Sequence, residues 1–195
     1  MTEEVISVLD MAIVDVNSEY LGVDRLLLME NAGNSIARIC SDVYKTENCE
    51  GEIIVFCGRG GNGGDGMVAA RHLLRDFHVR LYLVGSPSRI TSKITRKNWD
   101  ILTNIHSNLQ LSVIETVEDV KRVTIPPKSV IIDALLGTGI KGSLREPLRS
   151  VVSLINENKK RKSVIISVDT PTGVNPDNGQ KSDPYIESDW TICLH

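Results

Sequence analysis

The sequence predicts an α/β protein of the Rossmann-like kind, a three-layer sandwich whose mostly parallel sheet carries helices on both faces. Three observations predict it. Six short apolar runs recur along the chain, most of them separated by segments with helical spacing of apolar residues, which is the pattern of βαβ units. The runs are apolar throughout rather than alternating, as strands covered on both faces require. The first run also opens into a glycine-rich turn followed by a helical pattern, the order found in doubly wound folds.

From the N-terminus, the region about 4–46 reads as helical, with LLLMENAGNSIARI (26–39) as its strongest apolar pattern, and is expected to pack across a face or edge of the sheet. The sheet region spans about 52–195. Its expected strands are EIIVFC (52–57), VRLYLV (79–84), LSVI (111–114), SVIIDAL (129–135), SVIISV (163–168) and WTICL (190–194), with helices over 67–74, 94–105 and 148–155. No repeat, low-complexity linker or composition shift marks a second domain within residues 1–195.

At 195 residues, 41% hydrophobic and 24% charged, the chain is long enough for a substantial core and does not have the composition of a disordered protein. No run approaches the roughly 20 apolar residues that span a bilayer. The N-terminus, MTEEVISVLDMAIVD, lacks the basic start and apolar core of a signal peptide, so a cytoplasmic protein is expected. A formal net charge of −3 gives no reason to expect nucleic acid, and the basic run Lys159-Lys160-Arg161-Lys162 suits a helix C-terminus. Cys40, Cys49, Cys57 and Cys193 form no CxxC pair, and His72, His78, His106 and His195 have no metal-ligand spacing. Cys57 and Cys193, inside apolar runs, are expected to be core thiols.

The stretch FCGRGGNGGDGMVAARHLL (56–74) leaves the first strand and enters a helix. Within it Gly58-Arg59-Gly60-Gly61-Asn62-Gly63 matches GxGxxG, where bare backbone lets amide groups approach a phosphate and the helix N-terminus favours its charge. A nicotinamide dehydrogenase would carry an acidic residue after the second strand to bind the ribose hydroxyls. Here that strand runs into Gly85-Ser86-Pro87-Ser88-Arg89, so the shape is expected without hydride transfer. Asp65, close to the helix start, is expected to cap it.

Two further turns follow strands. DALLGTGIKGSLREP puts Asp133 near one strand end, then Gly137, Gly139 and Gly142 in a second glycine-rich loop that carries Lys141. VDTPTGVNPDNG puts Asp169 at another strand end, before a turn stiffened by Pro171 and Gly173. In a sheet of order 3-2-1-4-5 all three loops open on one crevice. Two carboxylates beside an anionic ligand repel it unless a cation intervenes, and a hard cation held by the Asp133 carboxylate, the Asn62 side-chain carbonyl and the Thr172 hydroxyl would do so. The alternative is local: Asn62 stabilises a turn, Asp133 accepts backbone N–H bonds and Thr172 caps a turn.

The set LLLMENAG, CGRGGNGGDG, DALLGTGIKGSLREP and SVDTPTGVNPDNG, in this order and spacing, resembles the YjeF N-terminal domain family, the NAD(P)H-hydrate epimerases, from Ser18 onward. The resemblance implies a Rossmann-like sandwich that interconverts the R and S forms of hydrated NADH and NADPH, a repair reaction on damaged nucleotides. It implies substrate contacts from Gly61, Asn62, Gly63, Gly64, Asp65, Gly137, Thr138, Gly139, Ile140, Lys141, Gly142, Ser143 and Asp169. It also implies one potassium ion (K+) per subunit, on Asn62, Asp133 and Thr172. The chain departs from the family pattern at Gly61, where a second asparagine is usual, at Thr170-Pro171-Thr172, where isoleucine-proline-serine is frequent, and at Leu148, where an aromatic residue is frequent.

A single carboxyl group could perform the chemistry, by dehydration and rehydration or by ring opening and reclosure, which reach the same products. In a hydrated nicotinamide the ring nitrogen can expel the neighbouring hydroxyl as water, giving a planar iminium ion that water re-attacks from the other face. One carboxyl group in alternate protonation states can serve both halves. Asp169, at a strand end beside a stiff turn, is the expected catalytic residue. The expected partners are the hydrated dinucleotide, a second copy of the chain in a homodimer and, in a longer protein, a C-terminal dehydratase domain. Nucleic acid and membrane are not expected. The competing reading is a non-catalytic scaffold of the same fold, which would be expected to have lost the carboxylates or the glycine loop.

Overall fold

The apolar runs form six strands, β1 (Ile53–Cys57), β2 (Val79–Val84), β3 (Leu109–Ile114), β4 (Val130–Ala134), β5 (Val164–Val168) and β6 (Trp190–Ile192), in a computed structural model that describes residues 7–137 and 143–194. Every pairing is parallel and the order is β3-β2-β1-β4-β5-β6. The direction of winding therefore reverses between the neighbours β1 and β4, whose C-terminal ends part to leave a crevice. The register lines up Phe56 with Asp133 and Asp133 with Ser167, which sets a polar pair across β4 and β5 just below that crevice.

The described residues also form α1 (Val8–Tyr20), whose large apolar side chains are mostly exposed, and five helices that flank the sheet: α2 (Arg25–Thr46), α3 (Gly61–Leu73), α4 (Lys93–Thr103), α5 (Val117–Lys121) and α6 (Leu148–Glu157). Successive strand side chains point to opposite faces. Ile53, Val55 and Cys57 accordingly join Ile36 and Cys40 of α2, Met67 of α3 and Trp99 of α4 in one core. Ile54 and Phe56 join Val120 of α5 and Val151 and Ile155 of α6 in the other. Burying each large aliphatic side chain of this kind contributes about 1.5–3 kcal/mol, so the two cores together fix the sheet as a rigid base for the loops at its rim.

Several sequence expectations are refined. The N-terminal helical region is two helices, with Asp24 capping α2 through a 2.7 Å bond from the Leu26 amide. Helix α3 starts at Gly61 rather than at 67, because packing, not propensity, holds its glycines in helical form. Helix α5 was not expected; the reciprocal bonds between Thr116 and Asp119 form its capping box. The basic run forms a single 3-10 turn, Asn158–Arg161, directly after α6, and ends at a left-handed Lys162. Cys57 is a core thiol, but Cys193, one residue past the end of β6 at Ile192, is exposed. Among the described residues no helix is long and apolar enough to cross a membrane.

Candidate active site

The first turn of α3 is seated directly on the strand ends. A Cβ at Gly63 would lie 1.9 Å from the Gly58 carbonyl oxygen, and one at Gly66 would lie 2.5 Å from Cβ of Ala134. Only glycine permits this approach, and it turns the unpaired amides of the first helical turn toward the crevice. Gly60 precedes the helix in extended conformation without a side-chain cap. Asp65 therefore does not cap α3, contrary to the expectation from its position; it lies one turn past Asn62 on the same helical face.

Asn62 has an unusual environment. Both its side-chain oxygen and nitrogen are buried, and among the described residues neither has a hydrogen-bond partner. Leaving a buried polar group unsatisfied costs about 1–3 kcal/mol, a cost that a bound ligand would remove. Position 137 locates this amide relative to the β5 rim: a Cβ there would lie 2.8 Å from Oδ2 of Asp169 and 3.5 Å from Cβ of Asn62. Asn62 from α3, Gly137 from the loop after β4 and Asp169 from the end of β5 thus meet around one space.

Asp169 sits in the left-handed region at φ 65, while its amide donates to the Ile192 carbonyl at 2.8 Å. A non-glycine residue in this conformation is uncommon, and aspartate is among the side chains that tolerate it. The bend turns the chain away from the sheet exactly where β5 ends, so its side chain projects at the rim rather than continuing the strand.

Asp133, by contrast, is fully buried and accepts four hydrogen bonds. The Thr172 hydroxyl donates to Oδ1 at 2.7 Å and the Leu135 amide at 3.3 Å; the Thr172 amide and Ser167 hydroxyl each donate to Oδ2 at 2.9 Å. The Thr172 hydroxyl also accepts from the Leu136 amide at 3.1 Å. Burial raises the Asp133 pKa, against the pull of these bonds. The aspartate ties β4, β5 and the Thr-Pro-Thr turn together, and Ser167, a polar residue in an otherwise apolar strand, is a member of this cluster that sequence reasoning passed over.

Asp65 is the second departure from expectation. Burial, then the charge of Asp169, then that of Asp15, raise its pKa from 3.8 to about 8. A carboxyl group so raised holds a proton in the folded state that the unfolded chain has lost. Its contribution to stability is therefore fully present below pH 3.8 and is lost as pH rises to about 8. Asp65→Asn, neutral at every pH, is expected to flatten the fall in urea-unfolding free energy between pH 5 and pH 8; an unchanged slope would show that Asp65 does not titrate there.

Of the other expected contacts, Gly61 is exposed, Gly63 and Gly64 are buried within the seated turn, and Ser143 is exposed. Thr138, Gly139, Ile140, Lys141 and Gly142 lie outside the described residues. The expected ligand set of Asn62, Asp133 and Thr172 is all oxygen at its donor ends, and no cluster of three or more His, Cys, Asp or Glu side chains suited to a metal occurs among the described residues.

The family model of the YjeF-related protein N-terminus matches residues 25–195. The bifunctional NAD(P)H-hydrate repair enzyme Nnr of Methanothermobacter thermautotrophicus is 42% identical over 187 residues, 95% of this chain and 35% of that protein. The NAD(P)H-hydrate epimerase of Cenarchaeum symbiosum is 36% identical over 193 residues, 97% of this chain and 84% of that protein. The crystal structure of the yeast protein ynu0 superposes with a TM-score of 0.78 at 25% identity, covering 96% of this chain and 79% of that one. The chain spans about a third of the length of the bifunctional relatives.

Proposed function

This chain belongs to the family of YjeF-related protein N-termini, and from that premise we propose that it epimerises hydrated NADH and NADPH at the hydrated ring carbon. The observation that carries the reading is the meeting of Asp169, Gly137 and the unsatisfied Asn62 amide at the switch-point crevice. Relatives named as NAD(P)H-hydrate epimerases support it. A scaffold without catalysis would have no use for a carboxylate held at a strained strand end beside an unsatisfied amide.

In this reading Asp169 enters the reaction in its protonated form, donates that proton to the hydroxyl on the hydrated carbon and is left as a carboxylate. The C–O bond breaks, water leaves, and the ring nitrogen's lone pair forms the C=N bond of an iminium ion. Water then attacks the opposite face, and Asp169 accepts the proton that the new C–O bond releases, ending as it began. Asp65, protonated at neutral pH, adds no second negative charge beside it. The α3 amides and Asn62 orient the dinucleotide. Purified protein mixed with one epimer of hydrated NADH is expected to convert it toward the equilibrium mixture, followed by chromatography; conversion no faster than in buffer would overturn the reading.

A potassium ion suits the oxygen groups present. The Asn62 carbonyl oxygen lacks a partner among the described residues, and the Thr172 hydroxyl lies 2.7 Å from Asp133 and 3.4 Å from the Leu136 carbonyl oxygen. Asn62, Asp133 and Thr172 would hold the ion, which when bound supplies positive charge against Asp133 and toward the substrate's phosphates. Exchanging KCl for choline chloride at equal ionic strength is expected to lower the melting temperature, since a ligand that binds only the native state stabilises it, and to weaken substrate binding. Identical melting in the two salts would remove the ion from the site.

The proposal extends to the cytoplasm as location and to a homodimer. In a longer protein it extends to a C-terminal dehydratase domain, in keeping with a relative named as a bifunctional NAD(P)H-hydrate repair enzyme.

A further inference from the structure

The crevice mouth on the β2 side is basic. From residue 85 to residue 97 the chain reads GSPSRITSKITRK, with Arg89, Lys93, Arg96 and Lys97 and no acidic residue. This segment leaves the C-terminal end of β2, makes a 3-10 turn over Pro87–Arg89 and enters α4. Arg59, from the glycine loop after β1, lies flat against it: a Cβ at Gly85, which has φ 102, would sit 2.8 Å from Nε and 3.3 Å from Cζ of Arg59. The Arg59 carbonyl accepts from the Thr91 amide at 3.1 Å and the Thr91 hydroxyl at 3.2 Å, so the loop and the segment are tied together. The Arg96 guanidinium donates to the Pro87 carbonyl and steadies the turn. On that turn the Ser86 and Ser88 hydroxyls are 3.0 Å apart.

Among the described residues, Arg59 and Arg89 form no ion pair with a carboxylate. Guanidinium groups without a counter-charge, beside two hydroxyls, are the chemistry that receives a phosphomonoester. The same strand end lacks the acidic residue that would bind a free ribose 2′-hydroxyl and repel a phosphate there. Distance agrees as well. β5, β4, β1 and β2 are consecutive in the sheet, so the rims that carry Asp169 and Gly85 stand three strand spacings apart, about 14 Å. A dinucleotide with its nicotinamide at Asp169 and its pyrophosphate over the start of α3 brings its adenosine ribose to Gly85.

We propose that Arg59, with Ser86, Ser88 and Arg89, receives the 2′-phosphate of the adenosine ribose, so that the site favours hydrated NADPH over hydrated NADH. This deepens the dinucleotide reading of the crevice and rests on it. The direct test titrates adenosine 2′,5′-bisphosphate and adenosine 5′-monophosphate into the full chain by calorimetry at fixed ionic strength. The wild type is expected to bind the bisphosphate about tenfold more tightly, and Arg59→Ala to bring the two within about twofold, with Arg59→Lys intermediate because it keeps the charge but not the bidentate fork. Arg89→Ala, at an exposed position, is expected to reduce the preference without risk to the fold. Equal binding of the two nucleotides, absent binding of the bisphosphate, or an unchanged ratio in a folded Arg59→Ala protein would overturn the assignment. The ratio of kcat/KM for the two hydrates separates this idea from the activity itself. Epimerisation of both at equal kcat/KM removes the phosphate site and leaves the epimerase, whereas bisphosphate selectivity without epimerisation removes the epimerase and leaves the phosphate site.

Discussion

Asp169→Asn is expected to slow epimerisation by about 100- to 10,000-fold, the range that general acid–base help supplies, while the hydrated dinucleotide still binds. The substitution is unusually clean. Asparagine tolerates the left-handed conformation at φ 65 about as well as aspartate does. It also retains the hydrogen bond that the residue 169 backbone N–H donates to the Ile192 carbonyl. Backbone geometry is thereby preserved, while the exchangeable proton and the carboxylate charge are lost. Alanine at the same position would add backbone strain of about 1 kcal/mol or more and blur the result. A second signature accompanies the first: with the Asp169 charge gone, one of the causes that raise the Asp65 pKa disappears, and Asp65 should titrate at lower pH. Rate measurement and isothermal titration on the variant check both parts; a variant with full rate would show that the proton comes from elsewhere.

The second large effect is on stability. Asp133→Ala is expected to destabilise the fold by about 3 kcal/mol or more, because it strands four buried donors whose desolvation is no longer repaid by a hydrogen bond. For a chain of this size that corresponds to a fall in melting temperature of roughly 6–12 °C. The loss spreads beyond one side chain. Asp133 holds the Thr172 amide and hydroxyl and the Ser167 hydroxyl, so its removal frees the turn that follows Asp169 from β4. Thermal denaturation followed by circular dichroism measures the first effect, and residual activity at low temperature the second. A melting temperature within a degree or two of wild type would mean that the four donors find water or other partners.

Much of this was open to sequence reasoning, for identifiable reasons. Strands covered on both faces show as unbroken apolar runs, and their alternation with helical patterns fixes a parallel sheet, after which strand order alone brings Asn62, Asp133 and Asp169 to one rim. What escaped is what depends on packing between distant segments. The start of α3 reads as a loop because its glycines have poor helix propensity, and only the seat on β1 and β4 makes the helix. Asp65 looks like a helix cap because the burial and the Asp169 charge that raise its pKa come from elsewhere in the chain. Cys193 looks buried because an edge strand's last residues share the apolar pattern of its centre without sharing its cover. Helix α5 is a single short turn whose signal, Thr116 three residues before Asp119, is legible once sought.

The seat of α3 divides the glycine loop into two classes of position with different evolutionary freedom. At 63, 64 and 66 an added methyl group would collide with atoms 1.9, 2.5 and 2.5 Å away, whereas at 60 and 61 nothing lies within 4 Å. Drift is therefore locked at 63 and 66, restricted at 64, where the end of the Met29 side chain and the Thr95 hydroxyl would have to give, and open at 60 and 61. The departure from the family's paired asparagines falls at Gly61, on the open side, so an asparagine can be gained or lost there without reworking the scaffold beneath.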